Sequence, residues 1–130
     1  MIGSNAFNYI NVMDKAADAS YLRETVIANN IANVDTPNYK RQDVEFASVL
    51  ERELKQTMST SLNDAVKKVD LSDLRGKQFA DYPGYSYRLD RNNVDIDTEN
   101  VELASEQLRY QTEIQSVTMD FNRIKTAIGS

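Results

Sequence analysis

The chain has 130 residues, with 15 basic and 20 acidic side chains and a net charge of −5. It contains no Cys, His or Trp, which excludes disulfides, thiolate nucleophiles, Ser–His–Asp triads and metal sites built on Cys or His. The acidic balance argues against a nucleic-acid surface. No apolar run is long enough to span a bilayer or to act as a cleaved leader, so we expect a single domain without either segment.

The first predicted element is a long helix over residues 5–34, a stretch without Pro or Gly. Its apolar residues follow the alternating four-and-three spacing of a coiled-coil seam. The seam residues are Ile10, Met13, Ala17, Ile27 and Ile31. This spacing predicts a helix that packs against a second helix along its whole length.

The end of this helix carries three Asn within five residues, followed by a Pro-containing turn. Asn inside a helix is costly unless its side chain is used. Two interpretations are open: the amides cap the helix and shape the turn, or they hydrogen-bond to a neighbouring subunit. The candidate subunit-interface residues, called the Asn-rich motif, are Asn29, Asn30, Ile31, Ala32, Asn33, Thr36, Pro37, Asn38 and Tyr39.

The middle of the chain has weaker patterns. Asp43 is predicted to cap a short helix over residues 46–54, and residues 58–63 read as a flexible joint. Mixed charge and weak periodicity predict poor order over residues 65–77. After a Tyr-Pro-Gly turn, residues 85–89 and 94–96 are predicted to pair as a short β-hairpin.

The last predicted element is a second long helix that repeats the seam pattern. Asp97 or Thr98 is the expected N-cap, with further acidic residues in the first turn. The seam residues are Leu103, Tyr110, Ile114, Val117, Phe121, Ile124 and Ile128.

An acidic cluster at Asp90, Asp95, Asp97 and Glu99 is the one constellation that resembles a site. It lacks the Gly and the spacing of a calcium loop, and nothing indicates a pocket for acid–base catalysis. Helix capping is the better interpretation, and the seven tyrosines are expected to pack. We therefore expect no catalytic residue, cofactor, metal or small-molecule substrate.

Together these patterns predict a mainly α fold, an antiparallel coiled-coil hairpin with a small irregular middle segment. Residues 1–34 and 98–130 form the helices, and residues 35–97 form an outward segment with a short helix and the β-hairpin. Each helix is about 45 Å long, more than the roughly 35 Å diameter of a compact globule of this size. Apolar faces this wide predict packing against other chains.

Two motifs resemble the rod, hook and hook-associated proteins of the bacterial flagellum. One is Asn29-Asn30-Ile31-Ala32-Asn33 with Thr36-Pro37-Asn38-Tyr39-Lys40. The other runs from Asn92 to Glu99 and continues in Gln107-Leu108-Arg109-Tyr110-Gln111, and it is most similar to the proximal rod members of that family.

The resemblance implies a structural subunit of the proximal rod in the flagellar basal body, and not an enzyme. Its partners would be copies of itself, other flagellar rod proteins, and the MS-ring and export-gate components at the rod base. It would reach the periplasm through the flagellar type III export apparatus, unfolded and without a cleaved signal peptide. No nucleic acid is implied.

A protein of another class fits the same helical hairpin. A soluble coiled-coil adaptor or secretion chaperone would fold stably alone as a compact dimer. A rod subunit, by contrast, would order its helices only with its neighbours. Thermal unfolding of the isolated chain distinguishes the two, because only the adaptor would melt cooperatively.

Overall fold

The computed structural model describes residues 2–81 and 92–129. Two long helices, at the two ends of the chain, flank a small middle segment in the sequence, as the seam patterns predict. The elements in chain order are α1 (Ile2–Ala32), β1 (Gln42–Glu45), α2 (Ala47–Gln56), α3 (Leu62–Lys68), a 3₁₀ turn (Leu71–Asp73), β2 (Lys77–Ala80) and α4 (Ile96–Gly129). At 31 and 34 residues, α1 and α4 are about 46 and 51 Å long. The mainly α fold is confirmed. Of the helices in the described part of the chain, none is long and apolar enough to cross a membrane.

The two long helices pack antiparallel. The rings of Phe7 and Phe121 lie 6.4 Å apart, centroid to centroid, and those of Tyr21 and Tyr110 lie 5.9 Å apart. Further along α1, Asn30 contacts Glu99. Residues later in α1 therefore contact residues earlier in α4, so the two helices run in opposite directions. This confirms the helical hairpin.

The face of α1 that packs is the one its seam predicts. Ile10, Ala17 and Ile27 are buried, and Met13 and Ile31 are half-buried. Small side chains at Ala17 and Ala19 let neighbouring elements approach closely. The core of the molecule lies along this face.

The face that α4 turns to α1 differs from its apolar seam. Glu99 and Glu106, seven residues apart, are buried at this interface. Four seam residues are half-buried beside them, namely Leu103, Tyr110, Val117 and Ile124. The other three, Ile114, Phe121 and Ile128, are exposed by 40, 49 and 77%. The helix is turned this way because its glutamates bind arginines of the opposite elements.

The middle segment is held by a two-stranded antiparallel sheet that the sequence did not predict. Strand β1 pairs with β2, with Gln42 opposite Ala80 and Glu45 opposite Lys77. The prediction that Asp43 caps a helix is wrong, because Asp43 lies inside β1 and α2 begins at Ala47 without a side-chain cap. Its carboxylate is bound by Arg23 instead.

The predicted poor order over residues 65–77 is also wrong. Ser61 caps α3, and Asp70 caps the 3₁₀ turn through the backbone N–H of Ser72. Val66, Val69 and Leu74 are buried. These caps and the small core account for an ordered segment that has little sequence periodicity.

The middle segment packs tightly on α1 where Gly76 crosses it. A Cβ at this position would lie 2.8 Å from Val44 Cγ1 and 3.3 Å from Ala19 Cβ. The first distance is shorter than real side chains tolerate. Glycine is therefore required where the sheet, its loop and α1 meet.

The start of α4 differs in detail from the prediction. Asp95, not Asp97 or Thr98, is the cap, since its Oδ1 accepts the backbone N–H of both residues at 3.1 and 3.4 Å. Residues 94 and 95 are not in a strand and α4 begins at Ile96, so the second strand of the predicted hairpin is wrong. Its first strand, residues 85–89, and Asp90 lie outside the described residues.

Candidate functional site: the Asn-rich motif and the exposed side of the hairpin

Asn30, at the centre of the Asn-rich motif, is fully buried. Its Nδ2 donates to the carbonyl of Gln42 at 2.8 Å, and its Oδ1 accepts the backbone N–H of Gln42 at 2.9 Å. The Tyr39 hydroxyl donates to the same Oδ1 at 3.2 Å. This amide therefore joins α1 to the first residue of β1.

The turn after α1 is closed by a second buried amide, that of Asn92. Its Nδ2 donates to the carbonyls of Asn33, Val34 and Thr36 at 2.9, 3.1 and 2.7 Å. These carbonyls lie beyond the end of α1 at Ala32, outside its hydrogen-bond ladder, and need other donors. Asn92 supplies them from the segment that leads into α4, so the two resemblance motifs contact each other directly.

The remaining residues of the Asn-rich motif lie at the surface of the turn. Asn29, Ala32, Thr36, Pro37 and Asn38 are exposed, while Ile31, Asn33 and Tyr39 are half-buried. Asn38 has a φ of 62°, a left-handed conformation that Asn tolerates better than most residues. The buried members of the motif shape the turn of this chain, and the exposed members face outward.

Two arginines tie the middle segment to both long helices. Arg23 on α1 binds Asp43 of β1 at 2.7 Å, Glu102 at 2.9 Å and Glu106 at 2.8 Å. Arg41, just before β1, binds Glu99 at 2.5 Å and Asp81 at 2.7 Å. We call Arg23, Arg41 and these five carboxylates the arginine clamp.

Three groups of the arginine clamp, Arg23, Arg41 and Asp43, are held in their charged form. The hydrogen bond with Asp43 raises the pKa of Arg23. Burial opposes the charge of Arg41, but bonds to Glu99 and Asp81 outweigh it and raise its pKa. Burial likewise opposes the charge of Asp43, but Arg23 holds its pKa below the ordinary value. These ion pairs suit the clamp to holding elements together.

The acidic cluster considered from the sequence is part of this architecture. Glu99 belongs to the arginine clamp, and Asp95 caps α4. Within residues 2–81 and 92–129, no three acidic residues are grouped so as to hold a metal ion. The clamp itself was missed from the sequence. The seven-residue spacing of Glu99 and Glu106 was its signal, because it marks one face of a helix.

An apolar strip runs along the side of the hairpin away from the middle segment. Phe7 and Tyr21 lie two residues before Tyr9 and Arg23, which bind the middle segment through Asn63 and Asp43. Two residues are about 200° around a helix. We call this strip the aromatic ribbon; it comprises Phe7, Tyr21, Tyr110, Ile114, Phe121 and Ile128.

The aromatic ribbon is largely open to solvent. Tyr21 is 60% exposed, and Ile114, Phe121 and Ile128 are exposed as given above. Soluble monomers seldom leave long contiguous apolar surfaces uncovered, and such surfaces mark contacts with other molecules. The ribbon is therefore the candidate assembly surface of the chain.

A long helical hairpin with an uncovered apolar side and an Asn-rich turn is the architecture of a subunit that assembles. The sequence model of the flagella basal body rod protein family matches residues 22–40, which span the end of α1 and the Asn-rich motif. These observations define the class as flagellar rod proteins.

Similarity to individual proteins extends over most of the chain. It is 35% identical to the flagellar basal body rod protein FlgB of Bacillus subtilis over 120 residues, 92% of each chain. The FlgB of Borrelia hermsii is 35% identical over 118 residues, 82% of this chain and 87% of that protein. The FlgB of Escherichia coli is 29% identical over 103 residues, 74 and 75% of the two chains. The chain belongs to the FlgB family and is a structural component of the flagellar basal body rod.

Proposed function

We propose that the chain builds the proximal rod by burying its aromatic ribbon against neighbouring rod subunits. The uncovered apolar side of the hairpin carries this proposal. Fully burying a side chain such as Ile or Phe contributes about 1.5–3 kcal/mol. Five of the six ribbon side chains are 40–77% exposed, so burying the exposed part of each contributes about 1–2 kcal/mol. Many contacts acting together would give the rod its stability and stiffness.

In this proposal the arginine clamp fixes the shape of each subunit before assembly. The isolated chain should then unfold cooperatively, in contrast to the expectation from sequence that a rod subunit orders its helices only with its neighbours. The clamp sets the register of α4 on α1 and holds the middle segment to one side of the hairpin. The opposite side is then left for neighbouring subunits. The exposed residues of the Asn-rich motif, Asn29 and Asn38 among them, lie at the end of the hairpin and would contact adjoining subunits there.

The partners in this proposal are copies of the chain, other flagellar rod proteins, and MS-ring and export-gate components at the rod base. Passage to the periplasm through the flagellar export apparatus, without a cleaved signal peptide, belongs to the same proposal. The chain would not be an enzyme. None of the relatives named above is an adaptor or a chaperone.

Replacing Ile114 by Asp tests the ribbon directly. The substitution places an unpaired charge in the proposed interface, where it costs several kcal/mol. We expect the variant to be absent from isolated basal bodies and the cells to be non-motile. In the isolated chain residue 114 is exposed, so the free energy of unfolding should fall by less than about 1 kcal/mol.

Two controls accompany this variant. Ile114→Leu keeps an apolar side chain in place and should assemble normally, and Gln115→Asp adds the same charge at the next exposed position. Normal assembly of Ile114→Asp would exclude the ribbon as the interface. Absence of the unaltered chain from basal bodies would exclude the rod function itself.

A further inference from the structure

A cleft of about 660 Å³ lies on the opposite side of the hairpin from the aromatic ribbon. It is bounded by the middle of α1, the start of α2 and the middle of α4. Its apolar lining residues are Ala16, Ala19, Val44, Phe46, Leu50 and Phe79. The cleft is large enough for several side chains of a partner helix.

The charge of this cleft is acidic. It is lined by Asp43, Glu45, Glu106 and Glu113 but by only two basic residues, Arg23 and Arg109. Ser20 donates to Oε1 of Glu113 at 2.9 Å, whereas the buried Oε2 of Glu113 accepts no hydrogen bond. A buried carboxylate oxygen without a donor is costly. An apolar partner with a cationic side chain would satisfy it.

The last nine residues of α4 have the complementary chemistry. Residues 96–120 contain six acidic residues and one basic residue, whereas residues 121–129 contain two basic residues and no acidic one. Phe121, Lys125 and Ile128 are spaced four and three apart and so lie on one face of α4. All three are exposed. This end of the helix, residues 121–129, is called the α4 tail.

We propose that the α4 tail of one copy docks in the cleft of the next copy, with Lys125 donating to Glu113 and Phe121 and Ile128 against the apolar walls. This inference rests on the proposed function and names one contact within it. The tail cannot reach its own cleft, because residues 113 and 125 are twelve residues apart on one straight helix, about 18 Å.

Such a contact joins two different surfaces of identical chains. Contacts of this kind do not close between two copies, and they propagate as rings or open filaments. A tail at one end of the hairpin and a cleft near its middle would place successive copies with an axial offset. That offset is what a rod made of elongated subunits requires.

Cysteine cross-linking tests the contact without background, because the chain has no Cys. Ser48 lines the cleft, and Gly129 ends α4 with no atom near an added Cβ. We would isolate basal bodies from cells that carry the Ser48→Cys, Gly129→Cys chain and treat them with a short bismaleimide. The expected product is a ladder of dimers, trimers and longer species of this chain.

A matched control moves the second cysteine to the other end of α4. Thr98 is exposed and lies about 22 Å from Glu113 along the helix, nearly as far as Gly129 on the opposite side. The Ser48→Cys, Thr98→Cys chain should stay monomeric. Monomers only from Ser48→Cys, Gly129→Cys basal bodies, or a cross-link to a different protein, would overturn the inference and leave the rod function intact.

A charge exchange provides a second measurement. Glu113→Lys or Lys125→Glu alone should lower the amount of chain in basal bodies by about tenfold or more, and the double variant should recover most of it. A folding defect at residue 113 would not be repaired from residue 125 of the same chain. Failure of the double variant to recover, with both single variants folded, would also overturn the inference.

Discussion

At the scale of single residues, the side-chain amide of Asn30 makes the pair of hydrogen bonds that the backbone of a neighbouring strand would make. Its amide pairs with both backbone groups of Gln42, so β1 begins directly beside α1. Every hydrogen-bonding group of this amide has a partner among Gln42, Tyr39 and Glu99. The position therefore requires an amide, with one donor side and one acceptor side.

Replacing Asn30 by Asp should destabilise the chain by about 3 kcal/mol. A carboxylate cannot donate to the Gln42 carbonyl, and it would place a second negative charge against Glu99. Urea unfolding monitored by circular dichroism measures the loss. Asn29→Asp is the matched control, because Asn29 is exposed and should change stability by less than about 0.5 kcal/mol. Equal losses in both variants would contradict the assigned role.

Glu113 is a residue whose charge opposes folding. Burial raises its pKa above the ordinary value, although the hydrogen bond from Ser20 opposes the shift. A carboxyl that ionises less readily in the folded chain reduces stability as the pH rises above its unfolded pKa, about 4.3. Below that pH the penalty disappears.

Glu113→Gln should therefore stabilise the isolated chain at pH 7 by about 0.5–1 kcal/mol. The gain should shrink towards zero at pH 4, where Glu113 is largely protonated. Urea unfolding at both pH values measures it. Glu51→Gln is the control, since the exposed Glu51 binds Lys55 and its removal should bring no gain at pH 7. A gain that is independent of pH would exclude an ionisation effect.

At the scale of elements, α4 differs from an ordinary surface helix, because a charged face packs inward and part of its apolar face points to solvent. Surface helices bury their apolar stripe and expose their charges. Here Glu99 and Glu106 face inward while Ile114 and Phe121 face outward. Buried ion pairs contribute little net stability, because desolvation offsets their attraction. We infer that the arginine clamp selects the register of the hairpin and frees the apolar stripe for other subunits.

The sheet and α1 meet at Gly76, and this contact allows a sharp test. Gly76→Ala would push a methyl group into Val44 and Ala19, both of them buried. We expect a loss of about 1–3 kcal/mol in the free energy of unfolding. Gly129→Ala, with nothing within 4 Å of its Cβ, should cause no loss. A neutral Gly76→Ala variant would mean that the sheet can move away from α1.

At the scale of the whole molecule, the long helices and their pairing could be predicted because heptad spacing is a local signal. Ile10, Ala17 and Ile27 are buried as that spacing indicates. The rotation of α4 could not be predicted, since it depends on Arg23 and Arg41, distant residues whose charges suggest a solvent-exposed position. Likewise, Asp43 looks like a helix cap, and only its distant arginine partner draws it into a strand.

The middle segment shows the same limit. Strand β2 has no alternating pattern that would predict it, and its partner β1 precedes α2 and α3. The Asn-rich motif could be recognised from sequence, but its division into buried and exposed members could not. Asn30 and Asn29 are neighbours of identical type, and only the course of the chain after α1 decides which amide is covered.

The antiparallel pairing of α1 and α4 also has a consequence for the order in which the chain folds. Ser20 and Glu113 are in contact although 93 residues separate them, and contacts of such long sequence separation slow folding. During synthesis, α1 lacks its helical partner α4 until the last quarter of the chain leaves the ribosome. A nascent subunit is thus unable to complete its helical hairpin until translation is almost finished. This prolongs the interval in which the chain has not yet folded.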